Sequence, residues 1–333
     1  MDGLPPRFRP LHDMSVSGGV MQRTLKSAID CVGVGLHGGK RVTLTLRPAP
    51  VNTGILFRRV DLGVDIPARY DLVTDTKLCT VLSAPDGSGA RVGTVEHLMA
   101  ALAGAGISNV IVEVDGPELP IFDGSASSFV FLIECAGSVE QAAGRDEIVV
   151  LRTVRVQCGD AWAELRPCAH GLEAALSIAF ESPAIGAQAM SLKVTPESFR
   201  EDLADARTFA LRQDIDALQA AGLAQGGSLD NAIVVDGATI LNPGGLRSPD
   251  EFVRHKLLDA VGDLALAGAP LRARLIGHRS GHAINNQLLR ALFADDANWR
   301  LVPGNDRQSW VPGSAGSMAG AREQRLALAA API

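Results

Sequence analysis

The sequence predicts an α+β chain of two sheet-and-helix units, and three observations carry that expectation. The chain has 333 residues, enough for one large or two medium domains. Segments that alternate with period two precede segments with helical spacing, and this order occurs twice. Between the two occurrences lies Gly137 to Asp146, polar and rich in small residues, where the domain boundary is placed. The units so bounded are 21–142 and 147–304. They are flanked by 1–20, read as a disordered extension, and by the Gly-, Ser- and Ala-rich 305–333, read as a flexible tail.

Composition narrows the function classes. A net charge of −6 argues against a general nucleic-acid binder, although it leaves room for a local basic pocket. No run of about 18 apolar residues occurs, so no membrane-spanning helix is expected. The N-terminal stretch has Pro5, Pro6 and charges where a signal peptide needs an apolar core. Cys31, Cys79, Cys135, Cys158 and Cys168 are odd in number and form no CxxC pair, as expected of reduced thiols in a cytoplasm.

The elements follow in order. Gly33 to Gly38 matches GxGxxG, but the alternating strand Arg41 to Leu46 follows it, whereas a dinucleotide fingerprint must open a helix. Short strands are expected at Ile55 to Phe57 and Cys79 to Leu82, with a turn over Pro85 to Gly89. A helix runs from Thr94, its candidate cap, to Gly104. Asn109 to Val114 is a strand, Asp123-Gly124-Ser125 a turn, and Ala126 to Cys135 a helix with an apolar face. In the second half, Ile148 to Val156, Ala161 to Leu165, Leu172 to Phe180, Ala232 to Val235 and Arg272 to Ile276 read as strands. Helices are expected from Thr195, near Asp214 to Ala221, and from about Ala283 to Phe293.

The stretch Phe252 to Asp263 reads as a helix, with Ser248 as cap, Pro249 at the first helical position and Glu251 three residues after the cap. Gly268 ends it. His255 and Asp259 stand at i and i+4 on one face, with Asp263 one turn on. That stripe is either a site or a solvated polar face beside Phe252, Leu257, Leu258, Val261 and Leu264. Glu96 and His97 fall in the first turn of their helix, where the dipole favours an ionised Glu96; an ordinary surface pair reads the same way. No HExxH or cysteine zinc pattern occurs. His12, His37, His170 and His278 are read as loop or surface histidines.

Several motifs in fixed order carry a resemblance: GVGLHGGKRVTLTLRPAP (33–50), TVEHLMAALAG (94–104), DGSAS (123–127), ARTF (206–209), GGSLDNAIVVD (226–236), EFVRHKLLDAVGDL (251–264) and SGHAINNQLL (280–289). From about residue 22 to about residue 300 the chain resembles the UDP-3-O-acyl-N-acetylglucosamine deacetylases of lipid A biosynthesis, although Ser128 stands where that family commonly has proline. The resemblance implies two domains of similar topology, each a sheet layered on helices, with the active site between them. It implies zinc (Zn2+) held by His97, His255 and Asp259, with Glu96 as general base and Lys256, His282, Asp263 and Thr208 at the other active-site positions. Lys256, Phe209, Gly227 and Ser228 are expected to contact substrate, the segment from about Phe209 to Asp236 forming an apolar passage for the acyl chain.

The reaction so implied is hydrolysis of the N-acetyl group, releasing acetate, at the committed step of that pathway. Either Glu96 or His282 could protonate the leaving amine. A monomer is expected. The Ala- and Leu-rich end, Arg325 to Ala330, resembles a degradation signal and implies a protease as partner. Outside the resemblance, a zinc hydrolase of another N-acetylated sugar nucleotide, a non-catalytic binding protein and a structural scaffold remain the rival readings.

Overall fold

A computed structural model describes residues 20–304; the expected extension over 1–19 and the tail over 305–333 lie outside the described residues. β1 (Met21–Leu25) leads into the hairpin of β2 (Ile29–Val34) and β3 (Arg41–Pro48), joined by the glycine loop. The GxGxxG stretch therefore links two strands and opens no helix. β4 (Ile55–Arg59) and β5 (Val64–Pro67) follow, then a 3-10 turn (Tyr70–Leu72) and the small sheet of β6 (Val73–Asp75), β7 (Val81–Ser83) and β8 (Arg91–Val92). Helix α1 (Glu96–Gly104), β9 (Val110–Val114), α2 (Ser127–Ala136) and β10 (Ser138–Gly144) complete the first half.

Five of these strands form one sheet in the order β2-β3-β9-β4-β5. Val42, Leu44 and Leu46 alternate inward from β3, as do Val110, Val112 and Val114 from β9, and they share one apolar core with α1 and α2. That is the two-residue period of a half-buried strand.

The second half begins with β11 (Glu147–Val150), β12 (Val154–Cys158), β13 (Ala161–Pro167), β14 (Leu172–Ala179) and β15 (Ala187–Val194). A short helix, α3 (Pro196–Ser198), is closed by a capping box between Thr195 and Ser198. β16 (Phe209–Leu211), α4 (Arg212–Ala220), β17 (Ile233–Asp236) and β18 (Thr239–Ile240) come next. Last are α5 (Glu251–Ala265), β19 (Leu271–His278), α6 (His282–Phe293) and β20 (Trp299–Val302). The larger sheet runs β12-β13-β19-β11-β20, with β14 also on β19 and β15 on β14; β16, β17 and β18 form a separate small sheet. The architecture is α+β, sheets packed against helices.

Four local expectations are corrected. Residues 138–144, read from their composition as a boundary region with no element of its own, form a strand: β10 pairs antiparallel with β1. Backbone pairing needs no apolar side chains, so composition did not reveal it. The run Ile148 to Val156 divides in two, because β11 lies between β19 and β20 while β12 pairs with β13. Thr94 does not cap α1; it sits at φ 58° and its hydroxyl donates to Glu118. Nor does Ser248 cap α5, which starts at Glu251 with Asp250 before it. Glu251 turns inward instead of completing a capping box.

α1 and α5 are almost wholly buried and pack directly on each other. Gly262 makes that approach possible, since a Cβ there would overlap the Glu96 carbonyl. Gly262→Ala gains about 1 kcal/mol of helix propensity, but the overlap it forces should cost roughly 1–3 kcal/mol or more. A lower melting temperature for Gly262→Ala is the expected outcome, read by thermal unfolding.

Candidate metal and acid–base site

The first turn of α1 and the inner stripe of α5 meet at the helix contact. His97 Nε2 lies 3.6 Å from Asp259 Oδ1, and His255 Nε2 lies 3.3 Å from the same oxygen. One ligating atom from each of the three residues falls within 4.8 Å of the others, and all three side chains are buried. Asp259 Oδ1 and His97 Nδ1 find no hydrogen-bond partner among the described residues. Orphaned buried polar atoms are costly unless something pairs them. His255 Nδ1 donates to the Ala206 carbonyl at 3.0 Å, which leaves Nε2 with its lone pair facing Asp259. A ligating histidine is commonly held this way by its other nitrogen. Two imidazoles and a carboxylate are a donor set that suits a divalent cation with a position left open. The residues present therefore fit a metal.

Electrostatics agree with that use. Burial pushes His255 down to about 4, so the ring is neutral as a ligand must be. Burial opposes the charge on Asp259, but the neighbouring imidazoles and the Lys256 ammonium outweigh it and hold its carboxyl well below the usual range. Lys256 donates to Asp259 Oδ2 at 2.7 Å. Burial alone would lower that ammonium, yet Asp259 raises it above the ordinary lysine value.

Glu96 stands beside this group. Burial raises its carboxyl above the ordinary range, with His282 and His97 opposing. Its Oε2 accepts from the Thr80 amide at 3.0 Å, and its Oε1 is 3.8 Å from His282 Nε2. His282 opens α6 and donates through Nδ1 to Asp263 Oδ2 at 2.9 Å. Burial would strip its proton, but Asp263 and Glu96 raise it to about 9, so it is charged at neutral pH.

Each remaining candidate has a definite place. Thr208 lines the same small cavity, about 20 Å³, as Glu96, His97, His255, Asp259 and His282. Its amide donates to the Gly124 carbonyl at 2.8 Å. Phe209 packs edge-on against Phe252, with ring centroids 4.9 Å apart, and lies next to His255. Gly227 and Ser228 belong to a turn docked on the glycine loop, where the Gly226 amide donates to the Leu36 carbonyl. They are not among the residues around the small cavity.

Sequence reasoning passed over part of the wall. Leu36, Leu78, Cys79 and Ile121 line the cavity, and so does His37, whose ring nitrogens are both buried and unpartnered among the described residues. His37 is a loop residue, as read, but it is half-buried and its ring nitrogens are turned away from solvent. Only the neighbouring glycines hinted at a loop held close to something. The Cys79 thiol is pushed up to about 12 by burial and by nearby Glu96. Thr80 joins Glu96 to Asp263, to which its hydroxyl donates at 2.6 Å. A larger cavity of about 670 Å³ opens beyond Lys256, with Phe180 and Arg279 in its wall.

The loop carrying Ala206 and Thr208, just before β16, is clamped to α5 by a buried ion pair. Arg207 Nε and Nη2 bond the Glu251 carboxylate at 2.8 and 3.1 Å, and the amides of Arg207 and Arg247 add two further bonds. Burial raises Glu251, but these donors outweigh it and hold its carboxyl below the ordinary value. A depressed folded-state value means the pair stabilises above the unfolded pKa of about 4.3, and that stability is lost as pH falls through the folded value. Glu251→Ala should cost roughly 3–5 kcal/mol at neutral pH. In urea titrations its deficit against wild type should shrink as pH is lowered below about 4.

Comparison with known proteins places the chain among relatives. Residues 22–294 match the family described as UDP-3-O-acyl N-acetylglycosamine deacetylase. The chain is 50% identical over 297 residues to the UDP-3-O-acyl-N-acetylglucosamine deacetylase of Idiomarina loihiensis, covering 88% of this chain and 96% of that protein. It is 52% identical over 281 residues to the protein of the same name from Anaeromyxobacter sp., covering 84% and 91%. A Pasteurella multocida protein of that name is 50% identical over 294 residues, covering 87% and 95%. With the family pattern running through most of the chain and about half the positions identical across nearly the whole of these relatives, the chain belongs to the UDP-3-O-acyl N-acetylglycosamine deacetylase family.

Proposed function

We propose that the chain hydrolyses the N-acetyl group of UDP-3-O-acyl-N-acetylglucosamine, releasing acetate in lipid A biosynthesis, with zinc as its metal. The observation that carries this reading is the buried group His97, His255 and Asp259, in which Asp259 Oδ1 has no hydrogen-bond partner among the described residues and which lines the same cavity as Glu96 and His282. When bound, the metal supplies Lewis-acid polarisation of a carbonyl and lowers the pKa of water.

The chain's own residues do the rest. Glu96 keeps one oxygen on the Thr80 amide and turns the other, Oε1, toward the cavity, where it takes a proton from the attacking water. The Thr208 hydroxyl and the charged His282 are the donors for the oxyanion that develops on the acetamide. Asp263 holds His282 through Nδ1, so that Nε2 faces the reacting groups. The leaving amine takes its proton from Glu96 or from His282, both at the same cavity. Lys256 faces both the metal group and the larger cavity; with Phe180 and Arg279 it offers an aromatic face and two cations to a nucleotide diphosphate. Phe209, Gly227 and Ser228 belong to the segment proposed to carry the acyl chain.

Purified protein should release acetate from the acylated sugar nucleotide, stop on chelation and recover on adding zinc. Failure to release acetate with metal bound removes the reading. Glu96→Ala should keep its metal and turn over about 10²–10⁴-fold more slowly, the loss typical of a positioned base. His97→Ala should lose tight metal, measured by elemental analysis after dialysis; one retained equivalent would show that the ligand set is wrong. Omitting the 3-O-acyl chain should abolish turnover, which separates this substrate from other N-acetylated sugar nucleotides.

A further inference from the structure

Thr80 sits between the first half's Glu96 and the second half's Asp263 and donates to both. Its amide bonds Glu96 Oε2 at 3.0 Å and its hydroxyl bonds Asp263 Oδ1 at 2.6 Å. At 1% exposure, water does not compete for either bond. Asp263 spends its other oxygen on His282 Nδ1 at 2.9 Å and on Asn285 Nδ2 at 2.8 Å. Both carboxylates are therefore anchored, by their far oxygens, to two donors of one residue. The atoms left facing each other are Glu96 Oε1 and His282 Nε2, 3.8 Å apart.

We infer that Thr80 is a positioning residue that sets the separation between Glu96 Oε1 and His282 Nε2, the two atoms that handle protons. The inference rests on the proposed amide hydrolysis. The backbone donor is available to almost any residue at this position, whereas the hydroxyl is available only to threonine or serine. Valine has nearly the same shape and lacks it. Without the hydroxyl, Asp263 Oδ1 has no donor from Thr80, and the carboxylate can swing and carry the His282 ring with it. Misplacement of a reacting group by about 1 Å can cost on the order of 10²-fold in rate. Thr80 touches neither substrate nor metal ligand in this scheme; it acts through the side chains it holds.

The test compares kcat, KM and metal content for wild type, Thr80→Val and Thr80→Ser. Thr80→Val should bind metal fully, keep its KM and lose about 10- to 100-fold in kcat, the scale of one hydrogen bond to a charged group. Thr80→Ser should restore most of that loss. Val turning over like wild type, Ser falling as far as Val, or a loss confined to KM would each overturn the inference. Should Thr80→Val not fold, Thr80→Ala is read by the same comparison.

A second readout does not depend on turnover. The imidazole ¹⁵N–¹H signal of His282 Nδ1 should be protected from exchange in wild type and in Thr80→Ser, and lose that protection in Thr80→Val. Unchanged protection in Thr80→Val overturns the positioning role even if the deacetylase reading itself has failed. Wild-type protein that releases no acetate removes that reading and leaves this measurement standing.

Discussion

The site depends on how closely two helices approach. α1 brings Glu96 and His97, α5 brings His255, Asp259 and Asp263, and neither helix holds enough ligands alone. Ligand atoms from both can reach one point only if the backbones nearly touch, and the missing side chain at Gly262 permits this beside the Glu96 carbonyl. The helix contact thus serves at once as core packing and as assembly of the site, so a change in packing is felt as a change in geometry.

Such an approach gathers negative charge in a buried place. Glu96, Asp259 and Asp263 are all buried, and isolated buried carboxylates are strongly unfavourable. Each has a distinct compensation. Asp263 collects three donors from Thr80, His282 and Asn285. Asp259 has Lys256 on one oxygen and an unpaired second oxygen beside the two imidazoles. Glu96 has a single amide, and burial outweighs the opposing His282 and His97, so its carboxyl is raised where Asp259's is lowered. Neighbouring carboxylates are driven to different protonation behaviour by surroundings only a few ångströms apart, which is how one pocket separates ligand, base and orienting roles.

The helices were legible because their period is local: His255, Asp259 and Asp263 share a face by arithmetic, and Glu96-His97 opens a helix by its own turn. The glycine loop was legible because a strand follows it. What local pattern could not supply was contact between distant stretches. Thr80 lies within the ordinary apolar run Cys79-Thr80-Val81-Leu82, and nothing near it in the chain indicates that its partner is Asp263. His37 sits in a glycine-rich loop with the look of surface, and only the fold turns it inward. Capping expectations failed because distant partners take the polar groups: Glu118 accepts from the Thr94 hydroxyl, and Arg207 takes Glu251, the carboxylate expected to complete a capping box with Ser248. β10 was hidden because an edge pairing with β1 makes little demand on side-chain polarity.

The buried thiol at Cys79 carries a chemical implication. Sulfur is the donor a soft divalent ion prefers, and this one lines the same cavity as the two imidazoles. Only thiolates ligate or attack, and the surroundings of Cys79 keep it in its neutral form across the physiological range. With no ion beside it, the cavity thus holds a neutral thiol, which offers peroxide little nucleophile to oxidise.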